Sequence, residues 1–221
     1  MRILCISDQV DSLVYSPRVK ERFGDVDLVL AAGDLPMEYL GFITSMLNKP
    51  LLYVEGNHDL GRVAQVSGDG TSRFRYPLEE GDESGAMDSG FRFVKSEGMT
   101  ILGLPGSMRY NGGPNQFTEL QMFLHILAHL PRLLWNLAWK GRAADIILTH
   151  APPRAIHDRD DPCHRGFRSF NWLIRRFRPR WLVHGHVHLY DLADVRVTRS
   201  GATTVVNAFG HWVIDTEEDN A

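Results

Sequence analysis

Residues 51–59 read Leu51-Leu52-Tyr53-Val54-Glu55-Gly56-Asn57-His58-Asp59, an apolar run that passes almost directly into a glycine, an amide, an imidazole and an acid. A short continuous apolar run bounded by turn residues has the pattern of a strand covered on both faces. Two earlier segments repeat the arrangement: Ile3–Ile6 ends in Ser7-Asp8, and Leu28–Ala31 leads into Gly33-Asp34. Helical signals lie between them. Ser16-Pro17 reads as the N-cap and first residue of one helix, and Pro36 opens a second that runs to about Leu47. Strand, helix, strand, helix, strand predicts a parallel sheet, and ligands of such sheets gather at the carboxyl ends of the strands.

The chain of 221 residues is 43% hydrophobic, enough apolar material for one substantial core, so a single domain over 1–221 is expected. A net charge of -3 argues against nucleic acid as a partner, because nonspecific binding needs a positive field to neutralise phosphates. Cys5 sits in an apolar strand and Cys163 in a polar loop, with no disulfide framework; a reducing, cytoplasmic setting is expected. The start, MRILCIS, reads as a strand rather than a signal peptide, and no run is long and pure enough for a transmembrane segment.

Residues 61–90 are polar, glycine-rich and locally acidic, and read as a mobile loop. Phe91–Val94 and Thr100–Leu104 read as a hairpin. From 117 to 140 apolar residues crowd nearly every helical face, with Pro131 dividing the stretch into two helices. A buried helical insertion is one reading; a contact between copies in a homo-oligomer, or with a membrane, is the other. Strands follow at Ile146–Thr149, Trp181–His184, Val195–Thr198, Thr203–Asn207 and Trp212–Ile214, with a helix near Phe167–Phe177. Late strands without long crossovers suggest antiparallel pairing.

Singly, an acid at a strand end or a lone histidine is more often a turn or hydrogen-bonding residue than a ligand. The set carries the chemistry: Asp8, Asp34, Asn57-His58, His150 and His186-Val187-His188, nearly all directly after β-prone runs. Carboxylates and imidazoles in that mixture suit a pair of divalent or trivalent metals, Mn, Fe or Zn. In order, these blocks resemble those of the calcineurin-like metallophosphoesterases, whose pattern is Asp-x-His, Gly-Asp, Gly-Asn-His-Asp/Glu, a lone His and Gly-His-x-His. The match runs from Ile3 to His188.

The resemblance implies a four-layer α/β/β/α sandwich of two mixed β-sheets. It also implies that Asp8, Asp34 and His188 hold one metal while Asp34, Asn57, His150 and His186 hold the other, with Asp34 as the bridge. His58 would stand by the phosphate as the catalytic imidazole, and Asp59 either orients it or closes a turn. A hydroxide held between ions about 3.5–4 Å apart would attack the phosphorus of a small phosphorylated substrate, a phosphomonoester or phosphodiester.

The pattern breaks at Val10, where the family has histidine. Water fills the position, Gln9 or Asp11 replaces the imidazole, or the Asp8/His188 site binds its ion weakly. In a protein that has stopped doing chemistry, Val10 would instead pack against the core of an inactive scaffold. Two loops offer substrate contacts: Arg109, Tyr110 and Asn111 in one, His157 and Arg165 in the other, each equally suited to closing its own loop. His157 and His164 are also candidates for the missing ligand. His125 and His129 have helical metal-site spacing but lack a third ligand, and Arg175–Arg180 reads as charge favoured at a helix C-terminus.

Overall fold

The computed structural model describes residues 1–58, 84–191 and 193–217. The first half builds β1 (Arg2–Ser7), α1 (Val19–Phe23), β2 (Leu28–Ala31), α2 (Met37–Leu47), β3 (Leu51–Tyr53) and β4 (Met87–Asp88). Then come β5 (Phe93–Ser96), β6 (Met99–Leu104), the short pair β7 (Ser107–Met108) and β8 (Gln116–Phe117), α3 (Glu119–Ala128) and α4 (Leu130–Lys140). The remainder is β9 (Ile146–Thr149), α5 (Arg168–Phe177), β10 (Trp181–His184), β11 (Val197–Ser200), β12 (Thr203–Asn207) and β13 (Gly210–Asp215).

One five-stranded sheet has the order β13-β1-β2-β3-β4 and a six-stranded sheet the order β11-β12-β10-β9-β6-β5. Both are mixed: β1 pairs parallel with β2 and antiparallel with β13, and β12 pairs parallel with β10 and antiparallel with β11. The apolar runs explain the layering, because alternate side chains of each strand point to opposite faces. Ile3, Cys5, Leu28 and Leu30 meet Ile146, Leu148, Trp181 and Val183 between the sheets. Leu4, Ile6, Val29 and Ala31 face Val19, Phe23, Leu40 and Ile43 of α1 and α2. Leu102, Ile147, Leu182 and Val205 face Met122, Ile126, Phe170 and Leu173 of α3 and α5. Four layers result, α/β/β/α, and each fully buried aliphatic side chain contributes about 1.5–3 kcal/mol.

Several boundaries differ from the sequence reading. The first helix begins at Val19, not Pro17; the Ser16 hydroxyl accepts from Arg18 N at 3.3 Å and so closes a turn ahead of the helix. Pro36 does cap α2. Residues 61–83 of the expected loop, and Asp59, lie outside the described residues; the end of that segment is not loop but β4, parallel to β3. The expected antiparallel pairing fails for β10, which is parallel to both β9 and β12, because α5 and the link through β11 carry the chain back each time.

Thr118 caps α3 by a reciprocal box: Gln121 N donates to Thr118 Oγ1 at 3.2 Å and Thr118 N donates to Gln121 Oε1 at 2.9 Å. Pro131 sits in the first turn of α4, where its missing N–H costs nothing. The pair is buried on one side only: Met122, Ile126 and Leu133 face the sheet, whereas Leu120, Leu124, Trp135 and Trp139 are exposed. Among the described residues no helix is long and apolar enough to cross a membrane.

Candidate metal centre

The polar residues after β1, β2, β3, β9 and β10 converge at one edge of the two sheets. Three of the six expected ligands, Asp8, Asp34 and His186, have left-handed backbone, with φ of 59°, 56° and 68°. Such conformations cost roughly 1–3 kcal/mol each in non-glycine residues and persist where surrounding structure enforces them. The packing around them is tight enough to require glycine at positions 56 and 185. A Cβ on Gly56 would overlap Asp34 Oδ1, and one on Gly185 would overlap Ser7 Oγ and Asp8 Oδ2.

His150 is wholly buried, and its Nδ1 donates to the Ala32 carbonyl at 2.7 Å. That bond leaves the Nε2 lone pair facing inward, 3.1 Å from Asn57 Oδ1 and 3.4 Å from Asp34 Oδ2. His186 follows the same logic: its Nε2 donates to the Cys163 carbonyl at 2.7 Å, so Nδ1 is the atom with a free lone pair. Burial first, and then the neighbouring His150, push the His186 pKa down to about 3, keeping the ring neutral at pH 7. Ligand atoms of Asp34, His150 and His186 all lie within 4.8 Å of one another. Electron-pair donors at this spacing repel unless a cation lies among them, and the donor set suits a borderline metal.

Asp8 and His188 stand beside this group. Asp8 Oδ2 accepts from His186 N at 2.8 Å and from the Ser7 hydroxyl, while Oδ1 is buried with no hydrogen bond among the described residues, 3.7 Å from His188 Nε2. Burial would raise the Asp8 carboxyl, but the contacts with His188, His150, Ser7 and His186 more than offset it and hold the pKa below the usual range. The same Asp8 contact raises the pKa of His188, against opposing desolvation. His188 Nδ1 meets the Tyr190 hydroxyl at 2.8 Å, and its ring lies 4.8 Å from that of Phe209. A buried carboxylate oxygen with no donor is a polar atom that a cation would satisfy.

Val10 is not packed into the core; it is 40% exposed. Asp11, a candidate replacement, accepts from His211 Nδ1 at 2.6 Å and from Leu13 N at 2.8 Å, so its carboxylate is already engaged. His58 is exposed at the rim, and its backbone N–H donates to Asp34 Oδ1 at 2.9 Å, tying the catalytic candidate to the expected bridging acid.

Of the substrate candidates, Tyr110 is the one joined to this cluster: its hydroxyl accepts from Asn57 Nδ2 at 3.1 Å. The others are engaged elsewhere. Arg109 donates to Gln121 Oε1 at 3.1 Å, Asn111 Oδ1 accepts from Gly113 N and Gln116 Nε2, and Arg165 donates to the Asp160 carbonyl at 3.2 Å. His157 has both ring nitrogens occupied: Nδ1 donates to His184 Nε2 at 2.9 Å, and Nε2 accepts from Thr198 Oγ1 at 2.8 Å. His164 Nδ1 donates to Asp161 at 2.9 Å. His125 stacks on Phe91 with ring centroids 4.0 Å apart, in the helical layer away from these ligands.

The sequence reading missed Arg159, whose guanidinium donates to the His188 carbonyl at 2.9 Å, though it lies in a loop singled out for substrate contacts. It also missed the carbonyls of Ala32 and Cys163 that set the two histidine tautomers. Backbone acceptors leave no mark in side-chain identity.

Strand-end acids, an amide and imidazoles at the edge of an α/β/β/α sandwich define a metal-dependent phosphoesterase scaffold. The chain belongs to the calcineurin-like phosphoesterase family, whose model matches residues 1–190. It is 24% identical over 231 residues to UPF0046 protein K07C11.7 of Caenorhabditis elegans, covering 94% of this chain and 69% of that protein. It shares its fold with the protein TT1561 of Thermus thermophilus, at a TM-score of 0.60, 15% identity, and coverage of 99% of this chain and 95% of that one.

Proposed function

We propose that the protein hydrolyses a phosphomonoester or phosphodiester of a small cytoplasmic substrate, with two ions of Mn, Fe or Zn unequally held. The observation that carries this reading is the approach of Asn57 Oδ1 and Asp34 Oδ2 to within 3.4 Å of His150 Nε2, with the His186 ring beside His150. Asp34, Asn57, His150 and His186 would hold the tighter ion; Asp8 and His188, sharing Asp34, would hold the weaker one. When bound, the ions polarise phosphate oxygens and bring the pKa of water from 15.7 to roughly 7.

The chain's own groups do the rest. Ala32 and Cys163 fix each imidazole so that a neutral nitrogen faces the ions. His58, anchored through its backbone to Asp34, offers an imidazole to the phosphate and its leaving oxygen, a role worth about 10²–10⁴-fold. Tyr110 holds the Asn57 amide so that its oxygen turns toward His150.

The lack of a ligand atom on Val10 and the engagement of Asp11 favour a second reading, a scaffold that binds metal without turnover. An aryl phosphate and an aryl phosphodiester assayed with added Mn²⁺, Fe²⁺ or Zn²⁺ separate the two. Metal-dependent release, lost in Asp34→Asn and cut at least about 100-fold in His58→Ala, supports the enzyme. Absence of turnover with every metal, beside retained metal binding, supports the scaffold.

A further inference from the structure

The outward face of α3 and α4 is apolar where a solvated helix is normally polar. On α4 the exposed positions include Pro131, Leu134, Trp135, Ala138 and Trp139, and on α3 Leu120, Leu124 and Ala128 form a stripe four residues apart. Trp139 is 78% exposed and Trp135 61%, their rings stacked at 5.4 Å with planes 3° apart. Two large indoles held in water on α4, with Leu120 at 65% and Leu124 at 55% exposure on the preceding helix, are exposed apolar surface of the kind that marks an interaction site.

The charge around the patch selects the partner. Helix α4 has no acidic residue and carries Arg132 and Lys140. Lys95 of β5 joins them: desolvation, then the charges of Lys95 and Arg132, push the Lys140 ammonium below its usual range. Asp145, the acid whose charge reaches Lys140, is paired with Arg142 at 3.6 Å. Glu119, the acid of α3, turns inward to accept from Arg168 N and Ser169 N at the start of α5. Lys140 Nζ donates to Thr100 Oγ1 at 3.2 Å, a neutral partner that leaves its charge in place, so among the described residues the tryptophan-bearing face is locally positive on a chain of net charge -3.

We infer that this face docks the protein onto an anionic lipid bilayer, the indoles lying at the headgroup level and Arg132, Lys140 and Lys95 meeting lipid phosphates. Tryptophan belongs at that depth because one part of the ring is apolar and its N–H is wet. Basic residues near an anionic surface add to the apolar term. A second copy of the chain is a poorer occupant: a two-fold contact brings the same surface from both partners, and α4 has no acid, and α3 only the inward-turned Glu119, to meet these cations. Nucleic acid is poorer still, since the centre of the face is leucine and indole.

The test is co-sedimentation of the full chain with vesicles of phosphatidylcholine alone and of phosphatidylcholine mixed with phosphatidylglycerol, with tryptophan emission read on the same samples. The expected result is binding to the mixed vesicles with a blue shift, weakened at least about fivefold for each cation replaced in Arg132→Glu and Lys140→Glu. The double variant Trp135→Ser, Trp139→Ser should bind neither vesicle while keeping the circular dichroism and metal binding of the parent. No binding to mixed vesicles would overturn the inference, as would binding equal on both vesicle types. A dimer in light scattering that the tryptophan double variant abolishes would assign the face to self-association instead.

Discussion

Asp11 Oδ2 accepts a hydrogen bond from His211 Nδ1 at 2.6 Å, which ties the acid one residue beyond Val10 to the C-terminal strand β13. Its other oxygen takes Leu13 N at 2.8 Å. An imidazole at position 10 is therefore the direct test of the proposed Asp8/His188 site. Val10→His is expected to raise affinity for the weaker ion by about 10–100-fold, the scale on which even outer hydrogen-bond partners tune a metal. Isothermal titration of metal-free protein with Mn²⁺ reads this as a second step moving toward the first; an unchanged titration would mean that position 10 does not face the ions.

Tyr110→Phe removes the acceptor from Asn57 Nδ2 without changing the ring. Freed to rotate, the Asn57 amide presents its oxygen to the tighter ion less often. Metal affinity there is expected to fall about tenfold, with thermal stability within about 0.5–1.5 kcal/mol of the parent, the net worth of one hydrogen bond. Competition with a fluorescent chelator measures the first and thermal unfolding the second.

Gly185→Ala places a methyl against Ser7 Oγ and Asp8 Oδ2, two groups bonded to each other. Both partners lie on well-packed β1 and its end, so the strain is not relieved by moving a flexible side-chain tip. A loss of about 1–3 kcal/mol is expected, together with loss of the weaker metal step. Urea unfolding with and without Mn²⁺ separates these effects.

The imidazole chain from Thr198 through His157 to His184 gives stability an acid limb. Burial lowers the folded His157 pKa to about 4, whereas an unfolded imidazole titrates near 6.5. Between those values the unfolded chain binds more protons, so stability falls as pH drops from about 6.5 toward 4 and is fully present above that window. His157→Phe should flatten this slope while destabilising the protein at neutral pH by about 1–3 kcal/mol, because His184 Nε2 loses its donor. Urea midpoints across the window test the sign; an unchanged slope in the variant would exclude His157 as its source.

Much of the scaffold is legible in the sequence because doubly covered strands write themselves as apolar runs: Leu28–Ala31, Thr203–Asn207 and Ile146–Thr149 stand where the runs place them. Parallel against antiparallel pairing of β10 is not legible, since its direction depends on how α5 and the β11 link return the chain. The candidate ligands can be read from their blocks, as these follow strands that end at the same edge. What the sequence does not show is how the neighbours are spent: Asp11 on His211, His157 on His184 and Thr198, Arg109 on Gln121. Those pairings span 200, 27, 41 and 12 residues and depend on the finished fold. Val10 stands out in the sequence as a departure, but only its exposure argues against a plug in the core.

The proposed metal pair is unequal because of that departure. Anomalous scattering at the manganese edge, from crystals grown at limiting Mn²⁺, tests it most directly. A strong peak among Asp34, Asn57, His150 and His186, with a weaker one beside Asp8 and His188, is the predicted result. Equal peaks at both positions, or the stronger one beside Asp8, would contradict it.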